Sequence, residues 1–306
     1  MARLEDILSL KIYNKPSYLS PSSLMLAEGC PNKFYMERLA ETKAPREPQG
    51  PAAAAGSSFD AHIKAHLAKE LGLELKVRGV MLKEDESRAK YDSLLDLLFY
   101  SSVEEPLWGE VKGFGAETAR WYKSIPFVKE TKWAGLEEHF NYTILTHSVP
   151  LYMKLDASVN IGQTIVPFDW KVKGYGSTNG ASPSPGYMYL YDNTKGIVSG
   201  SHELWHSDIS MDSIDVRWAT QLATYGWGLG RPIGSPFQAV IDCLVYRPTG
   251  WRVARYIGWI TQSFQKELVR RYSFVWEAIQ NGSYTKGLID DIVMVEYMAK
   301  SESWWG

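Results

Sequence analysis

The segment VPFDWKVKG, residues 166–174, ends an apolar stretch whose residues alternate as in a β-strand. Successive side chains of a strand point to opposite faces, so Asp169 and Lys171 lie together on one face. The other face carries only large apolar side chains: Val166, Phe168, Trp170 and Val172. Two interpretations follow. The strand is half-buried and its solvated face holds an ordinary surface ion pair, or a carboxylate holds a metal beside a lysine that handles an oxyanion or a water molecule.

The composition is that of a water-soluble globular protein. Of the 306 residues, 45% are hydrophobic and 22% charged, and the formal net charge is -2. The chain has no global basic footprint, which argues against non-specific nucleic-acid binding through phosphate contacts alone and leaves a local basic groove open. Cys30 and Cys243 are the only cysteines, too few for a four-cysteine metal site, and they favour a reducing compartment.

The sequence also predicts where the protein resides. Its N-terminus lacks the pattern of a signal peptide, and no run of 18 apolar residues occurs. We therefore expect a cytoplasmic protein without a membrane span.

The N-terminal part of the chain is predicted to be helical. A serine N-cap followed by proline predicts a helix over residues 21–40. A connector rich in Pro, Gly and Ala follows at 42–56, and the next helix is expected to open at Ser57 or Ser58. Two further segments have helical patterns: residues 84–102 and 114–124.

From residue 133 the apolar period changes to that of strands. Three consecutive strands with short connections predict an antiparallel meander: residues 133–144, 150–160 and 163–173. A long insertion rich in Gly, Ser, Pro and Tyr follows at 174–212, and a loop of that length is usually functional or mobile. The remaining predicted elements are a helix, two strands and a long helix: residues 213–229, 236–247, 251–260 and 261–282.

These elements predict an α/β fold. A central mixed β-sheet contains the antiparallel three-strand meander and is flanked by helices. The helical region 1–130 is expected to pack on a core formed by residues 131–306, so that the two parts make one structural domain.

Two aspartates of the meander form a candidate metal site. Asp156 lies on the middle strand, and if that strand pairs with the next, Asp156 and Asp169 share one face on adjacent strands. Two neighbouring carboxylates repel each other unless a cation lies between them. Mg²⁺ suits such a site because it takes hard oxygen ligands. Lys171 would then orient or help deprotonate a water molecule, or stabilise charge on a phosphate.

The pattern Asp156…Asp169-Trp170-Lys171 resembles the core of the PD-(D/E)XK nuclease superfamily, whose core is restriction-endonuclease-like. Gln221 and Tyr225, at i and i+4 of a predicted helix, resemble the Q-x-x-x-Y motif of its RecB-like branch. The run Cys30–Tyr35, with the pattern Cys-Pro-x-x-Phe-Tyr, resembles that branch's entry helix. Gly56–Asp60 stands where the branch has a Gly-x-x-x-His motif. The motifs occur in the family's order over about residues 18–230.

The resemblance implies a Mg²⁺- or Mn²⁺-dependent deoxyribonuclease, most simply an exonuclease of phage or bacterial DNA recombination, repair or degradation. It implies that Asp60, Asp156, Asp169 and the Trp170 carbonyl hold the metal. Lys171 would position the attacking water, and Gln221 and Tyr225 would contact the site or the DNA. The implied partner is DNA, with a recombination protein or further copies of the chain as additional candidates. Exonuclease or endonuclease action, polarity and strand preference stay open.

The chain departs from the family pattern in three places. Asp60 replaces the usual His, and His62 is a second candidate for the third ligand, although a surface position is expected for it. The branch's iron–sulfur cluster is excluded because its cysteines are missing, and Cys30 is expected to be a small core residue. The insertion 174–212 is long, and we expect it to face the substrate or a partner.

Other features leave alternatives open. His202–His206 has the sequence H-E-x-x-H of zinc peptidases, but it lies in the insertion and no suitable downstream Glu follows. His66 is expected on the surface.

Glu137 or Glu138 could face the site or form a solvated strand edge. A catalytically silent nuclease fold that binds DNA or serves as a scaffold is the alternative function, and a zinc metallopeptidase is the less favoured one.

Overall fold

A seven-stranded mixed β-sheet is the central element of the fold. The computed structural model describes residues 14–44, 47–73, 93–200 and 209–283. In chain order, the strands are Trp133–Ile144 (β1), Val149–Ile161 (β2), Thr164–Lys173 (β3), Tyr189–Asp192 (β4), Gly196–Gly200 (β5), Phe237–Arg247 (β6) and Gly250–Ile260 (β7). Their spatial order is β1-β2-β3-β6-β7-β4-β5.

The sheet is mixed because β3 and β6 run parallel, whereas the pairs β2–β3, β6–β7, β7–β4 and β4–β5 are antiparallel. The described helices are Pro21–Gly29 (α1), Pro31–Phe34 (α2), Pro51–Leu71 (α3), Leu94–Ser102 (α4), Trp108–Ser124 (α5), Pro126–Lys129 (α6), Met211–Ile214 (α7), Val216–Gly228 (α8) and Gln262–Gln280 (α9). The predicted α/β class and the three consecutive strands β1, β2 and β3 are confirmed.

The chain divides into two compact units. The larger unit comprises residues 48–140 and 154–262 and contains most of the sheet. The smaller unit comprises residues 1–47, 141–153 and 263–306, of which 14–44, 47, 141–153 and 263–283 are described. Within the smaller unit, the Arg271 guanidinium of α9 donates two hydrogen bonds to the Glu28 carboxylate of α1, at 2.7 and 2.6 Å. The division predicted at residue 130 stays a prediction.

Several predicted helix bounds were wrong. The helix expected over 21–40 breaks at Cys30, because the residue before a proline disfavours helical dihedral angles; Cys30 has φ -152° and ψ 81°. Cys30 is also exposed, so its prediction as a core residue was wrong. Helix α3 begins at Pro51 and not at Ser57 or Ser58. The sequence PAAAA was interpreted as connector, but Pro is favourable at a first helical position and Ala is the best helix former.

The insertion 174–212 was wrongly predicted as a plain loop. Its strands β4 and β5 form an antiparallel hairpin, and β4 pairs with β7 at the edge of the sheet. None of the helices in the described part of the chain combines the length and apolar character that crossing a membrane requires.

A buried ion pair holds the centre of the larger unit. Asp242 on β6 lies opposite Arg255 on β7, and the guanidinium donates two hydrogen bonds of 2.7 Å to the carboxylate. The Tyr122 hydroxyl of α5 donates to the same carboxylate and accepts a hydrogen bond of 3.0 Å from the Trp170 indole of β3. Trp170 and Phe168 pack in the adjoining apolar core. This network therefore fixes β3 from its apolar face.

We expect Asp242→Ala to lower the free energy of unfolding by about 3–5 kcal/mol, because Arg255, which is 7% exposed, would lose its buried counter-ion. Urea unfolding measures this change. Glu70→Gln is the control, since its ion pair with Lys123 is at the surface and the Glu70 side chain is 54% exposed; we expect a change within about 1 kcal/mol. Equal effects of the two substitutions would contradict the anchoring role of Asp242.

Candidate active site

The structure brings Asp156 and Asp169 together where β2 and β3 separate. The antiparallel pairing of these strands runs from Ile161 and Thr164 to Ala157 and Phe168. Asp156 and Asp169 are the next residues in this register, and β3 continues from there beside β6. The two carboxylates therefore share one end of a strand pair, on adjacent strands as the sequence predicted.

Helix α8 places two polar side chains against this point. Lys171 forms an ion pair with Asp169 and donates a hydrogen bond of 2.9 Å to the Gln221 side-chain carbonyl. The Gln221 amide nitrogen donates to the Tyr225 hydroxyl at 2.6 Å. Asp215 caps α8 by accepting from the backbone N–H groups of the first turn, which fixes the start of the helix. Lys171, Gln221 and Tyr225 thus form one hydrogen-bonded chain that begins at Asp169.

Helix α3 contributes a third group of charges. Lys64 has no exposed surface, and its ammonium lies 2.6 Å from the Asp60 carboxylate, 2.9 Å from Glu137 and 2.6 Å from Asp156. Lys154 also pairs with Glu137, at 2.7 Å. We call Asp60, Glu137, Asp156 and Asp169 the carboxylate cluster. In the described part of the chain, three ammonium groups contact it: Lys64, Lys154 and Lys171.

Glu137 reaches the cluster through an unusual backbone conformation. Its φ is +50° although it lies within strand β1. A residue with a side chain pays a conformational cost of about 1 kcal/mol or more in this region, and such strain concentrates at functional sites. The next residue, Glu138, accepts a hydrogen bond of 3.0 Å from Ser158. Of the two glutamates left open by the sequence, Glu137 is the one in the cluster.

The pKa values of the carboxylates diverge because their neighbours differ. Burial raises the pKa of Asp169 to about 7; the Lys171 ammonium acts to lower it and the Asp156 carboxylate acts to raise it. Burial acts to raise the pKa of Asp156 too, but the Lys64 ammonium, a hydrogen bond with Asp169 and the Lys171 ammonium together outweigh burial and hold this pKa below the usual range. Asp169 is therefore the carboxyl group of this pair that keeps its proton longest as pH rises.

The carboxylate cluster fits a hard divalent cation. Carboxylate oxygens of Asp60, Glu137 and Asp156 lie within 4.8 Å of one another. The Oδ1 atom of Asp169 is buried and has no hydrogen-bond partner among the described residues. A buried carboxylate oxygen without a partner is costly and is stabilised by a cation. Asp156 can contribute to either of two metal positions. One lies among Asp60, Glu137 and Asp156, and the other lies between Asp156 and Asp169.

His62 does not belong to the cluster. It is buried, contrary to the surface position predicted for it, and its Nδ1 lies 2.7 Å from the Ser58 carbonyl oxygen. Its ring contacts Phe99 edge-on. His66 is exposed, as predicted. His202–His206 lies outside the described residues. The Trp170 carbonyl as a metal ligand stays a prediction.

The sequence interpretation missed Lys64. A detectable signal was present, because Lys64 lies at i+4 from Asp60 and shares its helix face with Leu67 and Ala68, which are buried. A lysine within an apolar helical stripe has to be paired when it is buried. Its partners Glu137 and Asp156 are far away in sequence, so only the structure could identify them.

Comparisons with known proteins assign this chain to no family. No protein-family model and no curated protein matches this sequence. Among solved structures, the crystal structure of "Putative exonuclease" from Eubacterium rectale matches with a TM-score of 0.47 and 12% identity, over 87% of this chain and 82% of that chain. At this identity and TM-score the similarity assigns no function, which has to be inferred from the site.

The raised pKa of Asp169 predicts a pH-dependent stability in the presence of EDTA. The folded protein binds this proton more tightly than the unfolded chain, whose Asp has a pKa of about 4. The proton on Asp169 therefore stabilises the folded protein. This stabilisation is complete below pH 4 and is lost as pH rises to about 7. From pH 5 to 7.5, we expect the wild type to lose about 2 kcal/mol of unfolding free energy relative to Asp169→Asn.

Urea unfolding at several pH values measures this difference, and Asp192→Asn is the matched control. The pKa of Asp192 is lowered, first by a hydrogen bond from Thr194, so its titration falls below pH 4. The difference between wild type and Asp192→Asn should be constant from pH 5 to 7.5. A constant difference for Asp169→Asn as well would mean that Asp169 is ionised throughout this range.

Proposed function

We propose that this protein is a Mg²⁺- or Mn²⁺-dependent deoxyribonuclease of the RecB-like PD-(D/E)XK type, acting on DNA as an exonuclease. The observation that supports it most is the meeting of Asp156 and Asp169 where β2 and β3 separate, with Lys171 paired to Asp169. The order of the sequence motifs adds the expectation of the RecB-like branch. The geometry of carboxylates beside an ammonium suits phosphodiester hydrolysis.

In this proposal Asp156 and Asp169 hold the divalent ion, and Asp60 and the Trp170 carbonyl are further predicted ligands. A bound ion would supply Lewis-acid stabilisation of charge on the phosphate and favour ionisation of the attacking water. The unpartnered Oδ1 of Asp169 is the atom of this chain best placed to gain from such a cation.

Lys171 acts as a donor and not as a base. Burial acts to lower its pKa, but the carboxylates of Asp169, Asp156 and Asp60 together outweigh burial, and the pKa is raised overall. The side chain therefore carries a proton at neutral pH. The Gln221 carbonyl and Asp169 hold the ammonium in place, so it can orient a water molecule or donate a hydrogen bond to a phosphate oxygen.

One observation favours the alternative, a catalytically silent fold that binds DNA or serves as a scaffold. The Lys64 ammonium contacts three carboxylates, so a cation of the chain itself already lies among the oxygens that could hold a metal. A silent protein would retain Asp169 and Lys171 as an internal ion pair. Binding and cleavage of DNA separate the two functions, because the silent protein binds without cleaving under any metal.

The decisive experiment compares degradation of linear and circular DNA in Mg²⁺, Mn²⁺ or EDTA by wild type and by Lys171→Ala. For wild type we expect degradation of linear DNA only and no reaction in EDTA. The degradation rate of Lys171→Ala should be at least about 100-fold lower, because the variant lacks the donor at the phosphate. Initial rates of nucleotide release measure the effect.

Lys173→Ala is the matched control. It removes the same charge from the same strand, but the Lys173 ammonium lies 4.6 Å over the Trp218 ring and not in the carboxylate cluster. We expect its rate to be within about threefold of wild type. Cleavage of circular DNA would change the proposal to an endonuclease. No cleavage of either DNA by wild type with any metal would reject the enzyme and leave the silent fold.

A further inference from the structure

Lys64 contacts three members of the carboxylate cluster, and the proposed chemistry gives it no role. An ammonium group has three hydrogen-bond donors. Those of Lys64 are used by three carboxylates, Asp60, Glu137 and Asp156, and the side chain has no exposed surface. The ammonium lies inside the set of oxygens that could hold a metal. It therefore occupies a cation position of the cluster.

A metal ion is not expected to displace this ammonium. Lys64 extends from the buried face of α3, where its neighbours Ile63, Leu67 and Ala68 are apolar. An ammonium moved away from its carboxylates would have to stay in this apolar surrounding without a counter-ion, which is strongly unfavourable. The divalent ion then has to bind on the other side of Asp156, where the Asp169 Oδ1 atom has no hydrogen-bond partner among the described residues.

The charge of the cluster leads to the same arrangement. Among the described residues, four carboxylates are contacted by three ammonium groups, so this set has an excess of one negative charge when all are ionised. One divalent ion reverses this excess to a single positive charge, which suits an anionic phosphate. A second divalent ion would add two further charges at the position of the Lys64 ammonium, where repulsion opposes it.

We propose that Lys64 is a positioning residue that replaces a second metal ion, so that the site binds one divalent ion between Asp156 and Asp169. In this arrangement Asp60 and Glu137 hold Lys64 and do not contact the metal, so Asp60 is removed from the predicted metal ligands. The inference rests on the proposed function and adds the number of ions and their location. It also gives the Lys64 ammonium the task of orienting Asp156 toward the ion.

The test is the stoichiometry of Mn²⁺ binding to the metal-free full chain, measured by calorimetry and by the spin-resonance signal of free Mn²⁺. We expect one ion per chain for wild type and two for Lys64→Ala, because the substitution opens the position among Asp60, Glu137 and Asp156. The double substitution Lys64→Ala/Glu137→Gln should bind one ion again. A purely structural role for Lys64 would not change the number of ions.

The outcomes separate this inference from the proposed function. Two ions on wild type, or one ion on both wild type and Lys64→Ala, would overturn the role of Lys64 and leave a metal-dependent nuclease in place. No ion on wild type would reject both, and one ion appearing only in Lys64→Ala would assign the sole cation position to Lys64 and support the silent fold.

A second variant keeps the test decisive if Lys64→Ala does not fold. Glu137→Gln in the wild-type background retains an oxygen that accepts from Lys64. If Glu137 holds Lys64 and not the metal, the variant should still bind one Mn²⁺ ion per chain, with an affinity lowered only through the lost charge. Loss of that ion would show that it contacts Glu137 and would overturn the inference.

Discussion

The pair of Asp242 and Arg255 is the interaction on which the larger unit depends. A guanidinium buried between two central strands has to be compensated, and Asp242 does so with two hydrogen bonds from the adjacent strand. Arg255 also donates to the Phe127 carbonyl oxygen and the Thr131 hydroxyl, each at 2.9 Å. The pair thereby connects the sheet to the segment that follows α5. It also fixes the position of every strand that packs on this core.

Strand β3 links this buried pair to the candidate active site. Trp170 faces the Tyr122 hydroxyl and the buried pair, whereas the residues on either side of it, Asp169 and Lys171, face the carboxylate cluster. Because strand side chains alternate between faces, a strand held on one side by a buried polar network presents its other side with little freedom. The apolar residues in VPFDWKVKG are as necessary to the site as the charged ones.

The sequence predicts this strand well because its alternation is regular and its charges are close together. The fold class, the three consecutive strands and the meeting of Asp156 with Asp169 follow from strand period and antiparallel pairing alone. Lys64 was not predicted with the site, and the choice between Glu137 and Glu138 stayed open, because these positions depend on a long-range packing of α3 and on a positive φ within β1. The errors at Cys30 and Pro51 concern proline, which both ends and begins helices.

The parallel pairing of β3 with β6 requires the chain to cross over between them. The chain leaves β3, pairs as β4 with β7 beyond β6, and returns through α8 to β6, beside β3. Three strand spacings separate β3 from β4, a distance of about 14 Å at about 4.8 Å each. Residues 174–212 therefore have to cross from β3 toward the far edge of the sheet. Changes in the β4–β5 hairpin can alter the edge of the sheet. Helix α8 begins after residue 212 and keeps Gln221 beside Lys171.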